Sequence, residues 1–147
     1  MRIALVHPTL AIRGGAENIV VWLASGLQRR GHEVTVFTLG YDATLWPSEQ
    51  VRGLQIELLR VPLARLNSTR LELFWLGRAL RKRLMGYGVV NCHNWPANLW
   101  VARARRGERR FPRVVWSCQE PNRRLHWDKT DRNLVGFVAR STEPTSR

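Results

Sequence analysis

A glycine-rich loop near the amino terminus has the composition of an anion-binding site. Residues 13–17 have the sequence Arg-Gly-Gly-Ala-Glu and are followed by an amphipathic helical pattern. Gly14 and Gly15 would let backbone amides approach a phosphate, and the positive end of the helix dipole would favour its charge. The loop is neither the GxGxxG dinucleotide fingerprint nor a P-loop. A phosphate cradle and a tight turn without a ligand therefore remain equally good interpretations.

Two further loops carry polar side chains that suit a sugar. They are residues 92–96 (Cys-His-Asn-Trp-Pro) and 118–121 (Cys-Gln-Glu-Pro). His93 could donate a hydrogen bond to a sugar hydroxyl or a phosphate, and Trp95 offers a stacking surface. The other side chains that suit hydrogen bonds to polyols are Asn94, Gln119 and Glu120. A carbohydrate-like ligand fits this set, although His93 taken alone is better explained as a structural residue at the start of a helix.

The remaining histidines and the two cysteines give weaker signals. Cys92 and Cys118 lie on predicted buried strands, so we expect both to fill the core rather than to react. Two cysteines make neither a disulfide framework nor a metal-ligand cluster. We expect structural roles for His7 and His32, and the pattern around His126 favours no role.

The first forty residues predict a βαβ unit that would position the glycine loop. Residues 3–7 form a short apolar run, residues 16–27 place apolar side chains at helical spacing before Gly31, and residues 32–39 alternate as a β-branched strand. The crossover should be right-handed and the two strands parallel.

The rest of the chain continues the alternation of strands and helices. Strands are predicted at 53–61, 89–92 and 113–118, and helices at 70–85 and 97–106. Five strands and three helices predict an α/β fold, a Rossmann-like doubly wound parallel sheet with flanking helices. In such a sheet, ligands bind at the carboxyl ends of the strands, where the three loops would meet.

The charge of the chain points to an anionic partner. The net charge is +13, and residues 60–147 carry 19 basic and 6 acidic side chains. The predicted helix at 70–85 carries a basic face that suits an anionic membrane surface or another anion, formed by Arg78, Arg81, Lys82 and Arg83. A solvated face of a core helix is the simpler interpretation, and nucleic acid is disfavoured because no RNA- or DNA-binding signature is present.

The composition predicts a folded cytoplasmic domain. The hydrophobic fraction is 44% over 147 residues, which is sufficient for a core, and no run of 18 apolar residues or signal-peptide pattern occurs. We therefore expect a cytoplasmic protein whose only membrane contact would be peripheral, on the inner face of the cell membrane.

The ordered set of motifs resembles the amino-terminal part of family 4 glycosyltransferases of the GT-B fold. The resemblance rests on residues 1–8, 13–18, 27–38, 89–97 and 114–121. It implies transfer of a sugar, with retention, from a nucleotide-sugar donor to a glycan, lipid-linked or small-molecule acceptor. No cofactor is implied beyond the nucleotide-sugar as co-substrate, and no metal.

The resemblance also implies roles for individual residues. Gly14 and Gly15 match the loop that meets the donor diphosphate, and the expected acceptor or sugar cleft comprises Arg13, Glu17, Asn94 and Trp95. The catalytic candidates are His93, Gln119 and Glu120. Where the family often has a histidine, this chain has Gln119, which can hydrogen-bond a hydroxyl but cannot be protonated.

The domain organisation implied by the resemblance is one incomplete domain. We expect residues 1–139 to form the acceptor-side domain, residues 140–147 to be a disordered tail, and the carboxy-terminal donor-binding domain to be absent, so that the truncated chain alone is inactive. The alternatives are a stand-alone basic Rossmann-like module that binds nucleic acid or anionic lipid, and one half of a two-chain transferase.

Overall fold

A five-stranded parallel sheet forms the centre of the protein, as predicted. The computed structural model describes residues 1–60 and 69–119, with side chains of the third helix described from residue 73 onward. The strand order is β3-β2-β1-β4-β5, and every described pairing is parallel. The strands are β1 (Arg2–Val6), β2 (Glu33–Thr38), β3 (Gln55–Leu58), β4 (Val89–His93) and β5 (Arg113–Ser117).

The three predicted helices are present, together with one additional short helix. They are α1 (Gly15–Arg29), α2 (Ser48–Val51), α3 (Thr69–Leu84) and α4 (Ala97–Arg105). The four-residue α2 and a 3₁₀ turn at Ala43–Leu45 were not predicted, because so few residues show no helical period. None of the helices in the described part of the chain combines the length and the apolar character needed to cross a bilayer.

The helices cover both faces of the sheet. On one face α1 packs on Ile3 and Leu5 of β1, and on the other face α3 and α4 pack on Ala4 and Val6. This alternation follows from the two-residue period of a strand buried on both sides. The order in which strands are added to the sheet reverses between β1 and β4, and that is the position at which doubly wound sheets bind ligands.

The two cysteines differ in exposure, so the prediction that both are buried is wrong for one of them. Cys92 on β4 is buried, and burial raises the pKa of its thiol to about 11. Cys118 is exposed because β5 already ends at Ser117, at an edge of the described sheet.

Candidate functional site

The glycine loop forms the start of α1, and its two glycines have different environments. Gly14 is the extended N-cap residue, and no side chain caps the helix there. A Cβ on Gly14 would lie 2.6 Å from Oε2 of Glu17, whereas a Cβ on Gly15 would meet nothing within 4 Å. A side chain at position 14 would therefore displace the carboxylate of Glu17, whereas Gly15 leaves open space through which a ligand could approach the first turn of α1.

Glu17 connects α1 to the end of β1. Its carboxylate lies 3.1 Å from Nε2 of His7, and both side chains are buried. His7 directly follows β1 and therefore lies at the carboxyl edge of the sheet. Its place among the polar groups of this edge was not foreseen, since we expected only a structural role. The missed signal is its position at the end of the first strand, before Pro8.

His93 ends β4 and is 1% exposed. Burial, with a smaller contribution from nearby His7, lowers the pKa of its imidazole to about 4, so the ring is neutral near pH 7. Nε2 of Gln119 lies 2.9 Å from Nδ1 of His93. Because an amide nitrogen only donates, Nδ1 accepts this hydrogen bond and the ring proton is on Nε2.

Each side chain of this hydrogen-bonded pair has a second polar atom that makes no hydrogen bond within the described residues. Among the residues that the structure describes, neither Nε2 of His93 nor Oε1 of Gln119 has a hydrogen-bond partner, and both atoms are buried. The first is a donor and the second is an acceptor. A hydroxyl group can accept from one and donate to the other, so the pair presents the complement of a sugar hydroxyl.

Asn94 holds the two loops together. Its backbone has φ of 57°, a left-handed conformation that asparagine tolerates better than most residues. Its Oδ1 accepts a 2.8 Å hydrogen bond from the backbone N–H of Gln119, and its own N–H donates to the carbonyl of Ser117. Asn94 thus positions Gln119 beside His93. Trp95 is partly buried beside it, and Glu120 lies outside the described residues.

Arg13 contacts both α1, through a 3.4 Å hydrogen bond from its Nε to Oδ1 of Asn18, and the segment that follows β2. Its guanidinium lies 5.6 Å from the ring centroid of Trp46 and donates to the carbonyl of Leu45. Trp46 is buried and donates from Nε1 to the carbonyl of Leu10. This anchor was not predicted, because a single tryptophan outside any periodic segment gives no signal.

The four residues predicted to form the basic face of α3 do not share one environment. Arg81 donates to the carbonyls of Ala104 and Arg106 at the end of α4, and Arg83 forms an ion pair with Glu57. Arg78 and Lys82 are exposed to solvent. The structure therefore leaves two of the four predicted cations at the surface of α3 with no described contact, and gives the other two structural partners.

The fold is that of a Rossmann-like α/β protein, and the polar edge at β1, β4 and β5 is its candidate ligand site. The sequence model of Glycosyltransferase Family 4 matches residues 13–142, and the chain belongs to this family. The resemblance noted in the sequence is thereby confirmed.

The relatives and a solved structure agree with this assignment. The alpha-1,3/1,6-mannosyltransferase ALG2 of Candida glabrata is 54% identical over 44 residues, which are 30% of this chain and 9% of that protein. The uncharacterized glycosyltransferase MJ1607 of Methanocaldococcus jannaschii is 33% identical over 103 residues, which are 65% of this chain and 25% of that protein. The chain thus spans at most about a quarter of either relative.

A solved galactosyltransferase has the same fold over part of its length. The lipopolysaccharide outer core galactosyltransferase WaaB, in its apo form, superposes with a TM-score of 0.56 at 12% identity. The superposition covers 80% of this chain and 33% of that structure.

Proposed function

We propose that this chain is the acceptor-side part of a retaining glycosyltransferase, which moves a sugar from a nucleotide-sugar donor to a glycan, lipid-linked or small-molecule acceptor. The observation that carries the proposal is the buried donor and acceptor pair of His93 and Gln119, at the carboxyl edge of the sheet in a chain of Glycosyltransferase Family 4. Retention and the choice of acceptor follow from the family resemblance.

In this proposal His93 acts as a neutral hydrogen-bond donor. Its low pKa removes the possibility of a charged imidazole near pH 7, and its Nε2 proton is available to a sugar hydroxyl. Gln119 fixes the tautomer of His93 through Nδ1 and accepts from the same or a neighbouring hydroxyl through Oε1. The absence of a second histidine at position 119 is consistent with hydrogen bonding rather than proton transfer at this edge.

We assign the donor diphosphate to the open side of Gly15. The uncapped N–H groups of the first turn of α1 and the free volume beside Gly15 support this assignment. The buried carboxylate of Glu17 faces His7 rather than the open side, so it leaves that approach available.

The proposed sugar site at His93 and Gln119 is tested by measuring ligand binding to the 147-residue chain. Proton–nitrogen correlation spectra would follow titrations with methyl glycosides and with nucleoside-diphosphate sugars. We expect His93→Ala and Gln119→Leu to remove the shifts that glycosides cause in the loops after β4 and β5. His32→Ala is the matched control, because His32 lies in the turn before β2 and should leave the shifts unchanged. Unchanged glycoside binding in His93→Ala would contradict the proposal.

We further propose that the 147 residues do not complete the transfer reaction by themselves. The support is the fraction of the relatives' length that they span, 9% of ALG2 and 25% of MJ1607. The measurement is transfer of labelled sugar from a nucleoside-diphosphate sugar to candidate acceptors by the purified chain. Detectable transfer would refute this part of the proposal and leave the binding-site part intact.

Peripheral contact with an anionic membrane is also part of the proposal. Exposed Arg78 and Lys82 lie on α3, and the nearby Phe74 is 45% exposed. Cations beside an exposed aromatic ring suit the headgroup region of anionic lipids. Flotation with vesicles of phosphatidylglycerol and phosphatidylcholine, compared with phosphatidylcholine alone, tests this contact.

A further inference from the structure

A groove lies between α3 and α4, away from the edge of the sheet that carries His93 and Gln119. The groove has a volume of about 350 Å³ and contains five basic side chains: Arg78, Arg81, Lys82, Arg103 and Arg106. Because α3 and α4 run antiparallel to the strands, their carboxyl-terminal halves lie toward the amino ends of the strands. His93 lies at the opposite end of the sheet, so the groove is not a part of the site described above.

Close packing of the two helices builds the groove. Gly77 on α3 lies against the Arg103 side chain on α4, and a Cβ at position 77 would overlap that side chain. The guanidinium of Arg103 lies 5.7 Å from the ring centroid of Phe74. Arg103 is therefore confined on two sides rather than extended into solvent.

A second arginine of the groove is also fixed. Arg81 donates from Nε to the carbonyl of Ala104 at 2.8 Å and from Nη2 to the carbonyl of Arg106 at 2.6 Å. These bonds satisfy carbonyls at the end of α4 that have no intrahelical partner. They also hold one guanidinium in place, with its remaining donors available to another group.

The charges of the groove are not neutralised within the described part of the protein. The ion pairs described there join Arg2 to Glu33, His7 to Glu17, and Arg83 to Glu57, and none involves a residue of the groove. The partial negative charge at the ends of α3 and α4 offsets the mutual repulsion of five cations only in part. An anion in the groove would offset the rest.

We propose that the groove between α3 and α4 binds a phosphate group, as a phosphate monoester or a diphosphate. Planar guanidinium groups match the geometry of phosphate oxygens, and two of them are already ordered by protein contacts. A lipid headgroup that is a phosphate monoester and a free phosphorylated compound present the same oxygens. The groove shares Arg78 and Lys82 with the membrane contact proposed above, but its binding of pyrophosphate is measured without vesicles. The inference does not depend on sugar transfer at the other edge.

The test is binding of pyrophosphate by isothermal titration calorimetry, together with flotation of the same protein on vesicles of phosphatidic acid and phosphatidylcholine. The main variant is Arg78→Gln with Lys82→Gln, because both side chains are exposed and the change leaves the contacts of Arg81 and Arg103 intact. The matched control is Arg29→Gln with Arg30→Gln, which removes the same charge from the exposed end of α1. Circular dichroism verifies that both variants fold.

We expect the main variant to weaken pyrophosphate binding at least tenfold and the control to change it less than twofold. Arg103→Lys keeps the charge but loses the planar guanidinium, so it should also weaken binding. Vesicle binding that pyrophosphate displaces would identify a lipid headgroup. Pyrophosphate binding that occurs without flotation and is lost in the main variant would identify a free compound.

Three outcomes would overturn the proposal. One is an equal loss in the main variant and the control, which would mean that only net charge matters. Another is binding of citrate as tightly as pyrophosphate, since citrate carries carboxylates and no phosphate. The third is absence of binding to both pyrophosphate and vesicles that contain phosphatidic acid, whose headgroup is a phosphate monoester. Glycoside binding at His93 is measured separately, so failure of either proposal leaves the other assessable.

Discussion

Replacing Gly14 with alanine should break the buried contact between α1 and β1. The N-cap backbone has φ of −129°, which alanine adopts without strain, so the effect comes from the new methyl group alone. That methyl group would lie 2.6 Å from Oε2 of Glu17 and would displace the carboxylate. The displaced Glu17 would lose its 3.1 Å contact with His7, and both groups are buried.

The expected loss of stability is about 2 kcal/mol, because a buried polar group left without its partner costs about 1–3 kcal/mol. Urea denaturation followed by circular dichroism measures it. Gly15→Ala is the matched control: its Cβ has free space, so the free energy of unfolding should stay within about 0.5 kcal/mol or rise slightly, since alanine favours a helix.

A double-mutant cycle separates this mechanism from a general effect on the loop. In a Glu17→Ala background the methyl group of Gly14→Ala meets no carboxylate, so the additional loss should fall below about 0.5 kcal/mol. The reasoning is refuted if the full loss persists in that background. Equal losses in Gly14→Ala and Gly15→Ala would refute it as well.

Three other measurements follow from single contacts. The imidazole of His93 has a pKa of about 4 in the folded protein, below its ordinary value, so its contribution to stability is complete above about pH 6.5 and declines as the pH falls toward 4. We expect urea denaturation to show a loss of about 2 kcal/mol in the free energy of unfolding between pH 7 and pH 5, and we expect His93→Gln to lack this loss. An equal loss in that variant would contradict the assignment. A maleimide reagent should label exposed Cys118 in the native protein well before buried Cys92, and mass spectrometry of the peptides would identify any reversed order. Tyr87→Phe should lower the free energy of unfolding by about 1 kcal/mol, because the Tyr87 hydroxyl donates a buried 2.9 Å hydrogen bond to Oγ1 of Thr35; an unchanged urea midpoint would show that this bond contributes nothing.

The sequence predicts the sheet and helices well because their periods are local. The run at residues 3–7 and the alternation at residues 32–39 place β1 and β2 to within one residue at each end. The spacing of apolar residues over 16–27 and the basic last turn before Gly31 place α1, which ends at Arg29. Strand β3 is shorter than the predicted 53–61, because alternation continues beyond the last paired residue, Leu58; residue 61 lies outside the described range.

The features that the sequence did not predict depend on contacts between distant residues. Arg81 belongs by its pattern to a basic helix face, but its guanidinium binds two carbonyls more than twenty residues away on α4. Only the packing of α3 against α4 at Gly77 creates that geometry. A charge pattern on one helix therefore predicts where cations are, but not which of them remain available to a partner.

The same distinction applies to the candidate site at His93 and Gln119. The sequence places the loops of His93 and Gln119 together, because parallel strands end at the same edge. It does not show that Gln119 binds Nδ1 of His93, and this bond decides which ring nitrogen carries the proton. Since the bond uses the amide nitrogen of Gln119, it leaves one donor and one acceptor unsatisfied on the same pair. In the proposed function a glutamine at this position supplies hydrogen bonds to a hydroxyl, whereas it is burial that keeps the neighbouring histidine neutral near pH 7.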